Sequence, residues 1–333
     1  MKKGYFLLSL DFELMWGVKD KKTIQEYGRN ILGARCIIPE ILKLFQERNV
    51  HCTWAIVGLL FSENMENTLS LLPKKKPSYS NQKLSSYEYL VEMGNSEKVD
   101  PYHYADSLIQ LLQQSAHQEI ASHTFSHYYC LEDGQTKEEF KDDIYAAKNA
   151  AKRYGIDLKS LVLPRNQINP DYIDVLHENN IFAYRGTEKN WMYKTAKTSD
   201  ECLFKRICRL LDSYVNLTGH NCYTLDEIRV HENLLNIPSS RFLRPYSHML
   251  RHWEWLKLKR IKSQMKHAAK EKLVFHLWWH PHNFGSNIQK NMRNLVLLLD
   301  YYEYLARKYG LESKNMKELS EVVLQDEDHH VGR

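Results

Sequence analysis

The chain has 333 residues, 43% of them hydrophobic and 26% charged, and this length is close to the upper size of a single α/β-barrel domain. Its net charge of +5 is small because 46 basic residues are nearly matched by 41 acidic ones, so no overall field favours nucleic acid as a partner. No stretch approaches the roughly 20 apolar residues of a membrane-spanning helix, and the six cysteines form no C-x-x-C pair, so we expect reduced thiols.

Short apolar runs alternate with helical patterns over most of the chain, which is typical of parallel βα units. Residues 5–10 predict a buried strand, 34–48 a helix and 50–57 a second strand. The first run is too short for a signal peptide and leads directly into acidic residues, so we expect a cytoplasmic protein.

The regular pattern breaks at residues 60–116, where prolines, a lysine run and many Ser, Asn and Gln residues occur. This stretch predicts a partly helical insertion beside the barrel, and a lid over the cleft is the working hypothesis for it.

Regular units resume with a predicted strand at 118–122 and a helix that begins at a capping box formed by Thr136 and Glu139. Later elements are predicted as strands and helices in alternation, at 160–163, 170–179, 181–184, 273–279 and 288–308. No repeat or linker interrupts them. We therefore predict one barrel domain over residues 1–325, followed by a polar, disordered tail over 326–333.

Chemically reactive side chains follow four of the predicted strands. They are Asp11 and Glu13 after the first, His123 and His127 after the third, Arg165 after the fourth, and His280 and His282 after the last. Catalytic groups of α/β barrels lie at the carboxyl ends of the strands, so we expect these side chains to converge.

Each of these features alone has an ordinary explanation. With 16 histidines, roughly one H-x-x-x-H spacing arises by chance, and acidic residues after a strand are commonly solvated or cap a helix. The combination is more specific, because two imidazoles and one carboxylate supply three ligands and leave positions open for water, as in catalytic zinc sites. Asp11 and Glu13, one residue apart in extended backbone, point the same way, so one can bind metal while the other addresses water.

Residues 9–13 and 123–127, followed by Arg165 and His280, resemble in order the motifs of the NodB-type polysaccharide deacetylases. The resemblance spans about residues 5–285, and its most specific part is H-[ST]-x-x-H. It implies an α/β fold, a distorted (β/α)7-type barrel of mostly parallel strands in a single domain with a helical insertion. It also implies a metal-dependent hydrolase that removes the N-acetyl group from a sugar in bacterial surface-glycan biosynthesis.

The same resemblance assigns roles to the residues. Asp11 would be the general base, Arg165 the partner that holds it and His280 the general acid. Glu13, His123 and His127 would bind one divalent metal ion, zinc first and cobalt or nickel as alternatives. The sequence departs from the family pattern at Glu13, where Asp is usual, and at Asn190, where an Asp tends to precede the Trp.

Four residues are interpreted as substrate-binding: Trp191, Trp278, Trp279 and His282. The pair Trp278 and Trp279 could wall an acetyl pocket, although a Trp pair that ends a strand packs in the core equally often. His282 is also a rival for the role of His280, because Pro281 between them leaves its direction open.

Residues 253–272 predict a basic amphipathic helix, with Leu258, Ile261 and Met265 on its apolar face. The simpler interpretation is a barrel-flanking helix with its lysines in water. The alternative is peripheral contact with an anionic membrane or a lipid-linked carrier.

Two other functions stay open: hydrolysis of a non-carbohydrate C–N bond, as in cyclic ureides or imides, and glycan binding without catalysis. Neither the phosphate-binding motif G-x-x-x-x-G-K-[ST] nor the serine-hydrolase motif G-x-S-x-G occurs, which disfavours nucleotide hydrolysis and serine-type hydrolysis.

Overall fold

A computed structural model describes residues 3–231 and 234–331. The strands in these residues are β1 Tyr5–Phe12, β2 Cys52–Ile56, β3 Gln118–Ser122, β4 Ser160–Val162, β5 Ala183–Arg185, β6 Arg229–His231, β7 Leu234–Asn236, β8 Arg241–Phe242, β9 Val274–Trp279 and β10 Glu312–Lys314. The α-helices are α1 Ile24–Glu47, α2 Met65–Ser70, α3 Asp106–Gln114, α4 Lys137–Lys152, α5 Ile173–Glu178, α6 Leu203–Asp212, α7 Glu254–Glu271, α8 Pro281–Phe284, α9 Ile288–Tyr309 and α10 Met316–Val331.

The strands form one curled sheet in the order β6-β7-β5-β4-β3-β2-β1-β9-β8, while β10 pairs with the first residues of β1. The strand pairs described in it are parallel apart from β6 with β7. Residues 237–240 bridge the two sides of the sheet, because the Ile237 amide donates to the Tyr184 carbonyl in β5 and the Ser240 amide donates to the His276 carbonyl in β9. The predicted distorted, mostly parallel barrel is confirmed.

Helix α1 shows how packing extends an element beyond its sequence signal. It begins after Thr23, which forms a capping box with Glu26, ten residues before the predicted start. Its Gly33 lies against Gly285 so closely that a Cβ atom would stand 2.1 Å from the Gly285 carbonyl oxygen. This contact packs α8 closely against α1 and thereby helps to position His280 and His282.

The 60–116 stretch is partly helical, as predicted, and it packs beside the segment that follows β1. The Trp16 indole donates to the His103 carbonyl at 3.1 Å, and Lys19 donates to the Leu84 carbonyl at 3.1 Å. Arg35 of α1 reaches the Tyr104 carbonyl at 2.8 Å. The insertion therefore supports the segment that follows β1 from the side; its role as a lid stays a prediction.

Helix α10 reaches Val331 and so takes in most of the stretch that we predicted to be a disordered tail; residues 332 and 333 lie outside the described residues. None of the helices within residues 3–231 and 234–331 has both the length and the apolar character needed to cross a bilayer.

Candidate active site

Asp11 and Glu13 lie at the carboxyl end of β1, and both carboxylates are buried inside the barrel. The His280 Nε2 atom stands 3.5 Å from Asp11 Oδ2 and 3.6 Å from Glu13 Oε1. A single imidazole is therefore close to both carboxylates. The prediction that the two side chains point the same way agrees with this geometry.

Glu13 also faces the two histidines of the H-x-x-x-H segment. Its Oε2 atom lies 3.1 Å from His123 Nε2 and 3.0 Å from His127 Nε2. These three donor atoms lie within 4.8 Å of one another. Two imidazole nitrogens and one carboxylate oxygen that converge on one point fit a divalent metal of the zinc type.

The protonation states of Glu13 and His127 suit metal binding. Burial raises the pKa of Glu13, but His280, His123 and His127 outweigh it, so the pKa lies well below its ordinary value and the carboxylate is charged. Burial lowers the pKa of His127 to about 4, so its ring is neutral near pH 7. The Tyr129 hydroxyl, 2.9 Å from His127 Nδ1, fixes the orientation of that ring.

Asp143 of α4 holds the loop between His123 and His127 in place through hydrogen bonds. Asp143 accepts hydrogen bonds from the amides of Phe125 at 2.6 Å and Ser126 at 3.1 Å. Thr124 and His127 adopt left-handed backbone, with φ of 63° and 59°, which non-glycine residues rarely adopt without external support. A carboxylate on α4 thus stabilises the strained loop that presents both imidazoles.

We expect Asp143→Ala to lower the free energy of unfolding by about 2 kcal/mol, because it leaves buried amide groups without an acceptor. It should also weaken divalent-metal binding about 10- to 100-fold, since the loop can then relax. Chemical denaturation and metal titration measure the two effects. Glu138→Ala, an exposed change on the same helix, is the matched control. Unchanged metal affinity in Asp143→Ala would refute the coupling.

Asp11 is held by Arg185, which the sequence analysis missed. Arg185 Nη1 donates to Asp11 Oδ1 at 2.6 Å and Nη2 donates to Oδ2 at 2.8 Å, and both residues are buried. The guanidinium also stacks on the Trp278 ring at 4.1 Å and donates to Asn166 Oδ1 at 2.9 Å. Burial raises the pKa of Asp11, but Arg185 and the nearby histidines outweigh it and lower the pKa.

The prediction that Arg165 holds Asp11 is therefore wrong. Arg165 has a φ of 53° in the turn after β4, and its side chain pairs with Asp20 at 2.5 Å while lying over the Tyr129 ring. The neighbouring Asn166 reaches Arg185 instead. Arg185 ends β5, directly after the predicted strand 181–184, so the rule about strand ends could have identified it.

The two late histidines lie in different environments. The His280 side chain is 23% exposed and lies near the rings of Phe242 and Trp278, whereas the His282 side chain is 5% exposed. His282 Nε2 stands 3.7 Å from Glu13 Oε1, and burial lowers the pKa of this ring to about 3. His280 is thus the more exposed of the two and lies beside Phe242 and Trp278, which line the cleft, and the predicted substrate contact of His282 is not supported.

The three tryptophans that we predicted to bind substrate also lie in different environments. Trp279 is fully buried and stacks on Phe284, so its interpretation as a substrate-binding residue is wrong. Trp278, its neighbour in β9, lines an open cleft of about 590 Å³ beside Asn166 and Phe242. Trp191 is exposed and stacks on Phe204. Asn190 caps the short turn that begins at Trp191, while the buried Glu188 lines the cleft.

Comparisons with known proteins agree with this architecture. The polysaccharide deacetylase family model matches residues 28–183. A search of the curated proteins found no match. A protein from Mycobacterium smegmatis, assigned as a polysaccharide deacetylase, shares 12% identity with a TM-score of 0.60, over 98% of this chain and 92% of that one.

Two further solved structures share the fold. A protein from Pseudomonas aeruginosa, also assigned as a polysaccharide deacetylase, and the allantoinase PuuE each have 11% identity and a TM-score of 0.54, with 96% of this chain and 90% of the other covered. The family match over residues 28–183 and the shared fold confirm the predicted resemblance to the polysaccharide deacetylases.

Proposed function

We propose that the chain is a metal-dependent hydrolase that removes the acetyl group from an N-acetylated sugar. The observation that carries the proposal is the convergence of Glu13, His123 and His127 on one point, beside the Asp11–Arg185 pair. His280 lies within 3.6 Å of both carboxylates, at the accessible side of the site.

Glu13, His123 and His127 are the residues that would hold the metal, and zinc suits two imidazoles with one carboxylate, with cobalt or nickel as alternatives. A divalent ion bound there supplies Lewis acidity, which activates water and polarises the amide carbonyl. Glu in place of the usual Asp is accommodated, because its Oε2 atom lies equally close to both histidines.

The remaining chemistry is done by side chains of the chain itself. An acetamide resists neutral water, so the site must take a proton from the nucleophile and give one to the leaving amine. Asp11 is charged and immobilised by Arg185, and it accepts the proton of the attacking water. His280 donates a proton to the departing nitrogen, since it is the imidazole with an exposed edge.

We expect His280→Ala to reduce kcat for an N-acetylated sugar about 10²- to 10⁴-fold. The same change should reduce hydrolysis of 4-nitrophenyl acetate less than about tenfold, because nitrophenolate departs without a proton from the enzyme. Steady-state kinetics on both substrates separate the role in protonation from general damage. Equal losses on amide and ester would reject His280 as the acid, and a selective loss in His282→Ala would transfer the role to that residue.

The biological setting that we propose is cytoplasmic synthesis of a bacterial surface glycan, with peripheral contact at the inner face of the membrane. Within 253–272, helix α7 buries Ile261, Met265 and Ala268 against the barrel and exposes Lys259 and Lys266. Its packing supports the barrel-flanking interpretation. The exposed lysines are the part of α7 available to anionic headgroups.

A substrate panel tests the reaction class. Acetate release from N-acetylhexosamine derivatives, with cyclic ureides and imides unchanged, is the expected result. Ring opening of a ureide without acetate release would favour the alternative C–N hydrolase. Sugar binding without any turnover in the metal-loaded protein would favour a glycan-binding protein.

A further inference from the structure

The cleft beside Trp278 carries a strong positive charge. Six basic side chains line it against two carboxylates: Lys21, Arg165, Arg206, Arg209, Arg241 and Arg244 against Glu188 and Glu201. The cleft also shares Trp278 and Asn166 with the surroundings of Arg185. It therefore lies directly next to the residues to which we assign the deacetylation.

Some of this charge is already compensated. Arg165 pairs with Asp20, Arg209 with Glu201, and Arg241 with Asp212. Arg206, Arg244 and Lys21 have no carboxylate partner among residues 3–231 and 234–331, although Arg244 Nε donates to the Ser213 hydroxyl at 2.8 Å. Partial burial and the neighbouring Arg165 and Arg206 lower the pKa of Lys21 and outweigh the opposite effect of Asp20 and Glu132. Such crowding of cations favours an anionic ligand.

One buried donor also lacks a partner. Arg241 is 2% exposed, and its Nη2 atom has no hydrogen-bond acceptor among the described residues although Nη1 binds Asp212 at 2.6 Å. An unsatisfied buried donor is costly unless a ligand or water completes it. Guanidinium groups with free N–H donors match the oxygens of a phosphate group. The buried Arg241 and the half-buried Arg244 thus place hydrogen-bond donors for an anion inside the cleft, in addition to the cations on its exposed surface.

Helix α6 joins this site to an apolar surface. Its apolar side chains face outward, between 45% and 68% exposed: Leu203, Phe204, Ile207 and Leu211. Trp191 stacks on Phe204 and extends the surface. The same helix contributes Arg206 and Arg209 to the cleft. An exposed apolar face bordered by cations and a Trp is typical of helices that contact lipids.

We propose that the substrate is an N-acetylated sugar joined through phosphate or diphosphate to a lipid, with the phosphate in the basic cleft and the lipid along α6. This inference rests on the proposed deacetylation. A nucleotide-linked sugar has the same phosphate chemistry, but it offers no chain to cover the apolar face. The lipid carrier therefore accounts for both features of the site.

The test compares kcat/KM for acetate release from one N-acetyl sugar in three forms: a neutral methyl glycoside, a nucleoside diphosphate ester and a short-chain polyprenyl diphosphate ester. We expect the lipid-linked form to exceed the neutral form about 100-fold. Arg206→Gln and Arg244→Gln should each lower that ratio about tenfold. Arg307→Gln, an exposed change in the last turn of α9, is the matched control and should keep the ratio.

A second pair of measurements separates the carriers. Phe204→Ser and Ile207→Ser should lower the ratio of lipid-linked to nucleotide-linked turnover about tenfold. Equal turnover of the two carriers, with no effect of these changes, would overturn the lipid assignment. Equal turnover of neutral and phosphorylated forms would overturn the anion site.

Binding of inorganic pyrophosphate, followed by calorimetry, is independent of catalysis. We expect Arg244→Gln to weaken it about tenfold relative to Arg307→Gln. If pyrophosphate binds in this way but no acetamide is hydrolysed, the proposed function fails while the anion site stands. Pyrophosphate binding that is absent, or unaffected by Arg244→Gln, would contradict the inference whether or not the protein is a deacetylase.

Discussion

Replacing Asp11 with Asn is expected to lower kcat for acetate release about 10²- to 10⁴-fold, because an amide cannot accept the proton of the attacking water. The change keeps the shape of the side chain and one acceptor for Arg185, so the fold should persist. Metal binding should also persist, since the three donors Glu13, His123 and His127 are untouched. Steady-state kinetics, metal analysis and thermal unfolding measure the three effects.

Asp20→Asn is the matched control for that experiment. Asp20 pairs with Arg165 at 2.5 Å, close to the site but on a different arginine. Its replacement should reduce kcat less than about tenfold. Substantial acetate release by Asp11→Asn, or an equal loss in Asp20→Asn, would exclude Asp11 as the base.

Arg185→Met is expected to have the largest effect on stability, with a loss of about 3–5 kcal/mol in the free energy of unfolding. The substitution leaves the Asp11 carboxylate buried without its two hydrogen bonds of 2.6 and 2.8 Å. The double variant Asp11→Asn with Arg185→Met should recover part of this loss, since no unpaired charge stays buried. Arg165→Met is the control for arginine removal, with a smaller expected loss of about 2 kcal/mol, because it removes one hydrogen bond to Asp20 rather than two.

The difference in the free energy of unfolding between wild type and Arg185→Met should change with pH in a defined direction. Arg185 lowers the pKa of Asp11 in the folded protein, so the pair contributes stability above the unfolded pKa of about 4 and loses it as the pH falls further. Without Arg185, burial raises the pKa of Asp11, and protonation relieves the unpaired charge at a higher pH. The stability gap between wild type and Arg185→Met should therefore narrow as the pH falls from 7 towards 4. A constant gap would contradict the account.

The parts of the site that could be predicted are those set by local pattern and strand ends. Glu13, His123 and His127 follow buried parallel strands, and the barrel brings the carboxyl ends of such strands together. The prediction for Arg165 was wrong because the backbone conformation of the turn decides where the side chain points, and here it points to Asp20 rather than to Asp11. A φ of 53° and an Asp 145 positions away are not visible in a local pattern.

The different positions of Trp278 and Trp279 could have been predicted from the sequence. Side chains alternate along a strand, so only one of Trp278 and Trp279 can face the cleft, and the other must enter the core. The structure buries Trp279 and leaves Trp278 at the cleft.

The region between β5 and β9 was the least predictable. Strands β6, β7 and β8 have only two or three residues each, too few for a periodic pattern. Their position depends on partners such as Tyr184 and His276 on opposite sides of the barrel. Most residues that line the basic cleft come from this region, so the cleft could not be predicted from a sequence pattern.

Metal analysis of His123→Ala is the decisive measurement of whether Glu13, His123 and His127 hold one catalytic metal ion. A second group of potential ligands, His51, His117 and Glu318, lies at the amino ends of β2, β3 and α10, so total metal content alone is ambiguous. His117→Ala is therefore measured in parallel.

We expect His123→Ala to lose about one equivalent of divalent metal and all acetate release, whereas His117→Ala should keep wild-type acetate release. We also expect a chelator to abolish wild-type activity and added zinc to restore it. A His123→Ala protein that keeps both its metal and its deacetylase activity would contradict the account.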